Sequence, residues 1–218
     1  MTRDAGPDMG EPAEADDPGV IRPLAFQSDE DLVAAVRRND RDAKRRLFEK
    51  YAPHVARVIA RCLGARPDNA DLVHEVFVMA LRDIARLREP AALKGWLSAI
   101  AVHAARGYLR HKRRRRWLSF FAPDELPEAP APHADGDTRD AIRATYRILD
   151  TLPDDQRVAF ALRFIDQMEL TEIATACDTS LATIKRRLQR AQTAFVAAAR
   201  DDEHLAPWLA DGARWGEP

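Results

Sequence analysis

From Ser28 onward the apolar positions recur at intervals of three and four, the spacing of one face of an α-helix. Ser28 is a natural N-cap, because its hydroxyl can accept a first-turn N–H. Asp29, Glu30 and Asp31 suit the positive end of the helix dipole. Leu32, Val33 and Val36 then share a face. A second stretch, about 41–63, aligns Leu47, Phe48, Tyr51, Val55, Val58, Ile59 and Cys62, and Gly64 and Pro67 close it. A third, about 68–87, buries Leu72, Val73, Val76, Phe77, Ala80, Leu81 and Ile84. Pro90 disfavours helix at Glu89, so Arg88 to Ala91 is a break. A fourth helix spans about 92–116 with Trp96, Leu97, Ile100 and Tyr108 inward. Period-two alternation is almost absent. The pattern predicts an all-α protein.

The stretch 118–138 contains Pro123, Pro127, Pro130 and Pro132 and interrupts the helical period. It is expected to be a flexible, Pro- and acid-rich linker between two small helical domains, 28–117 and 139–200. Helices in the second are expected at about 139–150, 154–165, 169–177 and 180–199. Asp178-Thr179 forms the short turn of a helix-turn-helix. The first 27 residues are rich in Pro, Gly and Asp and are expected to be a disordered acidic tail. The end, 201–218, carries Trp208 and Trp215, and the sequence assigns it no role.

Composition narrows the class. The chain has 218 residues, 46% of them hydrophobic and 32% charged, enough apolar matter for a packed core. No run approaches the ~20 apolar residues of a membrane span, and the acidic start is unlike a secretory signal. A cytoplasmic protein with no membrane insertion is expected. Two cysteines, Cys62 and Cys177, are too few for a disulfide framework, and Cys177 fits a small core residue. No metal or other cofactor is expected. His74-Glu75 lacks the second histidine of a zincin, since Val78 holds that place, and no nucleophile elbow, phosphate loop or dinucleotide fingerprint occurs. The chain is not expected to be an enzyme.

The net charge of −1, from 34 basic and 35 acidic residues, conceals its distribution. Residues 103–117 hold seven Lys/Arg and no acid; 179–200 hold Lys185, Arg186, Arg187, Arg190 and Arg200, again with no acid. Two basic surfaces in an otherwise acidic chain suit a polyanion touched at two places. At ~3.3 Å per residue the linker could reach roughly 65 Å, about two turns of DNA.

On the last helix Ile184, Leu188, Ala191, Phe195 and Ala198 form one apolar stripe. Lys185, Arg186, Gln189 and Arg190 lie opposite it and Arg187 flanks it. These side chains donate to guanine and adenine edges and to phosphates. The basic run of the earlier helix encircles its axis, which suits phosphates better than bases. Trp96, His103 and Tyr108 stand nearby, where aromatics can hold unstacked bases; Trp96 equally fits a core position.

Several segments, in order, resemble the bacterial RNA polymerase sigma factors of the extracytoplasmic-function group, which keep only sigma regions 2 and 4. They are LFEKYAPHVARVIARCLG, DLVHEVFVMAL at 71–81, GWLSAIAVHAARGYLRHKRRRR at 95–116, LPDDQRVAFALRF at 152–164 and LTEIATACDTSLATIKRRLQRAQ at 170–192. Together the likeness covers about 30–117 and 140–199. It implies a region 2 helical bundle, a region 4 helix-turn-helix and a factor that takes core polymerase to promoters and assists their melting. Its partners would be core RNA polymerase, through the largest-subunit clamp and the flap, promoter DNA, and an anti-sigma factor. Asp71, His74 and Glu75 would face the clamp. Arg88, His103, Arg106, Arg110, Lys112 and Arg113 would hold the minus-ten element. Thr183, Lys185, Arg186, Arg187, Gln189 and Arg190 would read the minus-thirty-five element. The chain departs from the resemblance at Asp178, where a glycine is common, at Glu169, where Ser or Thr is, at the 88–91 loop and at His103, where asparagine is. A stand-alone helix-turn-helix regulator, dimerising through its first domain, is the alternative.

Overall fold

The structure, a computed structural model, describes residues 28–118 and 136–210. The expected acidic tail, most of the linker and Trp215 lie outside the described residues. Every described element is helical: α1 (Asp29–Arg37), α2 (Arg41–Leu63), α3 (Asn69–Asp83), α4 (Leu93–Leu118), α5 (Gly136–Leu149), α6 (Asp154–Phe160), α7 (Leu170–Ala176), α8 (Leu181–Arg200) and α9 (Ala206–Ala210).

The boundaries follow local chemistry. Ser28 Oγ accepts the Asp31 N–H at 3.1 Å, as its N-cap position predicts. Asn39 takes a left-handed φ of 68°, and Asp40 then caps α2 by accepting from Ala43 N at 2.9 Å. Gly64, at φ 83°, ends α2. Helix α3 is shorter than the expected 68–87, because the chain tightens into a 3₁₀ turn at Ile84–Arg86. The Arg37 guanidinium bonds the carbonyls of Ile84 and Leu87 and holds this turn against α1. Leu81, Trp96, Ile100 and Tyr108 are half-buried at the rim of the core, whereas Leu97 is buried.

Between α6 and α7 the expected helix 154–165 stops being α-helical at Ala161 and widens into a π turn, Ala161–Ile165. The Asp166 N–H reaches back five residues to Ala161 O at 3.0 Å. Gln167, at φ 58°, turns the chain towards α7. Phe160 stacks at a tilt on Phe164 and Phe195, with ring centroids 4.7 and 4.6 Å away. On α8 the buried stripe ends at Ala199, not Ala198, which faces water. The step from Phe195 to the next inward position is therefore four residues.

The two halves do not stand apart. Val158, Leu162, Ile173, Cys177, Ile184 and Leu188 belong to one continuous core with α1–α4. A second cluster joins α5, α6 and α8 around Tyr146, Phe160 and Phe195. The segment after α8 docks on that cluster through Leu205 and Leu209, while Trp208 is 49% exposed.

Candidate nucleic-acid interface

Helix α7 buries Ile173, Ala174 and Cys177, and α8 buries Ile184 and Leu188, so each helix of the pair gives its apolar face to the core. Asp178 makes the intervening turn at φ 48°, a conformation aspartate tolerates without glycine. Ser180 caps α8, its Oγ accepting from Thr183 N at 3.2 Å and meeting Thr183 Oγ1 at 2.9 Å. Past this cap Lys185, Arg186, Gln189 and Arg190 all point to solvent on one face. Arg187 does not join them. It is half-buried and pairs with Asp155 at 2.6 Å.

Outward on α3, Asp71, His74 and Glu75 form a stripe that Val78 completes. Val78 is 67% exposed, an apolar residue left in water on a helix whose other valines are buried. His74 Nδ1–H donates to Ala70 O at 2.9 Å, and its ring stacks on Phe48 at 5.5 Å. Sequence reasoning passed over Val78 as a member of this outward stripe. Its position three residues after Glu75 is the signal that was available. Glu75 and His103 line one hollow of about 350 Å³ with Met79, Tyr108 and His111, so α3 and α4 meet there.

The basic face of α4 divides. Arg88, before the helix, and His103 and Arg110 on it are exposed. Arg106, Lys112 and Arg113 instead meet carboxylates of the second half. Arg106 bonds Asp155 at 2.5 Å and Cys177 O at 3.3 Å; Lys112 meets Asp150 at 3.5 Å; Arg113 pairs with Asp154 at 3.0 Å and reaches Leu152 O at 3.0 Å. Arg66 adds a second cation on Asp150 at 3.4 Å. Burial alone would raise the Asp150 carboxyl, but the charges of Arg157, Lys112 and Arg66 outweigh it and hold the group below the usual aspartate value.

At the centre lies Arg157, 1% exposed. Its Nε and Nη2 donate to Cys62 O at 2.8 Å and Leu63 O at 3.0 Å, and Nη1 pairs with Asp150. Tyr146 OH donates to Ala60 O and Arg61 O at 3.1 and 3.2 Å. Two side chains of the second half thus bond the last four carbonyls of α2; Ala60 O also takes the Gly64 N–H and Leu63 O the Arg66 Nε, whereas Arg61 O and Cys62 O are of the kind a helix end leaves unpaired. Arg157 was not singled out from the sequence. Its place on the stripe with Phe160, Ala161 and Phe164 put a charge where an apolar residue was due.

Two family models match these two halves: the sigma-70 region 2 family over residues 47–115 and the sigma-70 region 4 family over residues 142–193. The ECF RNA polymerase sigma-E factor of Escherichia coli K12 is 30% identical over 177 residues, spanning 77% of this chain and 92% of that protein. The chain belongs to the ECF sigma factors of the sigma-70 family. A further relative, the RNA polymerase sigma-H factor of Pseudomonas aeruginosa, is 29% identical over 195 residues, 85% of this chain and 98% of that one.

Among solved structures, CnrH in complex with the cytosolic domain of CnrY aligns with a TM-score of 0.57 at 21% identity, covering 80% of this chain and 99% of that one. The sigma factor RpoE of Bartonella quintana, solved with the anti-sigma factor NepR, gives 0.56 at 21%, covering 73% and 98%. These likenesses agree with the all-α, two-region fold of an ECF sigma factor. In sigma-factor terms, α2–α4 carry region 2 and α5–α8 carry region 4.

Proposed function

We propose that this ECF sigma factor binds core RNA polymerase through the outward face of α3, holds the minus-ten element along α4 and reads the minus-thirty-five element with α8. The observation that carries the reading is the solvent face of α8. Lys185, Arg186, Gln189 and Arg190 converge there on a capped helix whose opposite face is buried beside α7. A helix presented this way fits a major groove, and Arg and Gln match guanine and adenine edges. On α3, Asp71, Glu75 and the exposed Val78 offer charge around an apolar contact, the composition of a docking patch.

Promoter melting in this reading requires polymerase. Unstacking costs a few kcal/mol per base, more than one small hollow beside His103 offsets. The factor itself performs no covalent chemistry, and it acts where polymerase and DNA are, in the cytoplasm. Of its solved structural neighbours, the sigma factor RpoE of Bartonella quintana is in complex with the anti-sigma factor NepR, and CnrH is in complex with the cytosolic domain of CnrY. An anti-sigma factor is accordingly the regulator proposed for this chain.

The test is co-elution of the purified chain with sigma-free bacterial core polymerase on a sizing column. A complex displaced by excess of an unrelated sigma factor supports the proposal. Absence of a complex at micromolar concentration, with the chain folded by circular dichroism, overturns it.

A further inference from the structure

The cations proposed to meet DNA are divided in an ordered way. Those on α8 that face solvent lie away from region 2, whereas Arg106, Lys112, Arg113 and Arg187 all end on three carboxylates, Asp150, Asp154 and Asp155. These three belong to one short stretch, the end of α5 and the first turn of α6. Asp155 takes Arg106 from region 2 and Arg187 from region 4, at 2.5 and 2.6 Å. A carboxylate is an acceptor-only anion, and to a guanidinium it offers what a phosphate offers.

We infer that the acidic segment 150–155 occupies the phosphate places of α4 and α8 and keeps the chain shut, so that DNA and the region 2–region 4 contact compete for the same cations. The inference rests on the DNA-binding reading of these two helices. It goes beyond that reading by assigning this chain an inhibitory contact of its own.

Three features support a closed form that can open. First, the contact is ionic at its open edge, where the Arg113 and Asp155 side chains are 58% and 47% exposed, and salt weakens ion pairs that reach solvent. Second, it is imperfect: Arg106 Nε and Arg187 Nη1 are buried without an acceptor, so both guanidinium groups have bonds to gain elsewhere. Third, the chain between Leu118 and Gly136 is long enough, at ~3.3 Å per residue, to let the two regions part while still connected. Closing them against this edge are the shared core and the Arg157 contact with the end of α2.

The two cysteines report on closure. Cys177 lies where α7 meets α4, its carbonyl bonded to Arg106, and both Cys62 and Cys177 are buried. The experiment uses the full chain and follows maleimide labelling of each thiol by mass spectrometry, with and without a short DNA duplex of unrelated sequence. The variant is D154N/D155N, and D201N/E203Q supplies the same change of net charge at the exposed end of α8.

In D154N/D155N, Cys177 labelling is expected to rise roughly tenfold and duplex affinity to tighten by a similar factor, with the control changing much less. Duplex is expected to speed Cys177 labelling in the unaltered chain. Should D154N/D155N lose its fold, labelling of the unaltered chain between low and high salt replaces it, and acceleration is expected. Equal labelling and equal affinity in variant and control, or labelling in the unaltered chain indifferent to duplex and to salt, overturns the inference. Polymerase co-elution is read separately. A sigma factor that binds polymerase yet shows no change in thiol access refutes only the closure, whereas altered access without polymerase binding refutes the assigned function.

Discussion

The guanidinium of Arg157 donates to the carbonyl of Leu63 at 3.0 Å, joining residues 94 positions apart in the sequence. Through this bond and its neighbour to Cys62 O, region 4 finishes the last turn of a region 2 helix. The pair therefore belongs to the stability of the closed chain as well as to its shape.

Replacing Arg157 by Ala is expected to cost about 3–5 kcal/mol, the range for breaking a buried charge pair by removing one partner. Asp150 keeps Arg66 and Lys112 but loses its most buried partner, and the Cys62 carbonyl loses its donor while that of Leu63 keeps Arg66 Nε. Urea unfolding measures the loss. A change under 1 kcal/mol would show that the contact is not maintained in solution.

Tyr146→Phe removes only the hydroxyl that bridges Ala60 O and Arg61 O. The expected loss is about 1 kcal/mol, the usual net value of one buried hydrogen bond. The same urea titration reads it, and the slope should stay unchanged because the ring still fills its place.

Acid should weaken the fold through Asp150. Its folded carboxyl lies below the ordinary aspartate value, so its contribution is complete above that value and is lost as pH falls through the lower, folded one. Stability followed by circular dichroism should decline below about pH 4. Asp150→Asn should be less stable at pH 7 and show a shallower acid decline. An identical acid slope in both proteins would remove Asp150 from the account.

Arg190→Ala should weaken recognition of the minus-thirty-five element by about 1–3 kcal/mol if the side chain meets a base edge. Polymerase binding should not change, since Arg190 lies on the solvent face of α8. Footprinting and co-elution together decide it, and loss of polymerase binding would refute the assignment.

Glu75→Lys reverses charge on the outward stripe of α3 without entering the core. Capture of core polymerase should fall while thermal unfolding stays within about 0.5 kcal/mol of the original, as for most surface changes. Val78→Asp should act in the same direction. Unchanged capture by both would take this face out of the docking site.

Most local order was legible before any coordinates. Ser28 and Gly64 mark helix ends because capping and positive φ depend on residues a few places away. The solvent face of α8 followed from the helical period, which placed Lys185, Arg186, Gln189 and Arg190 opposite Ile184 and Leu188. The period missed at the π turn after Phe160, where helical geometry itself shifts, and within the regular α8 a step of three was expected where the step is four, so that Ala199 is buried instead of Ala198.

What the chain order alone determined was two helical units, their basic faces and the family they resemble, because amphipathic spacing and charge runs are local properties. Tertiary structure decided how the units meet. Arg106 looks like the equal of Arg110 in the sequence, yet Asp155 holds the first and solvent meets the other. No local rule distinguishes them, since the distinction arises only when α6 comes to rest between α4 and α8. Arg157 teaches the same lesson: its partners are carbonyls of Cys62 and Leu63, groups every residue carries, and only packing selects which of them a side chain reaches.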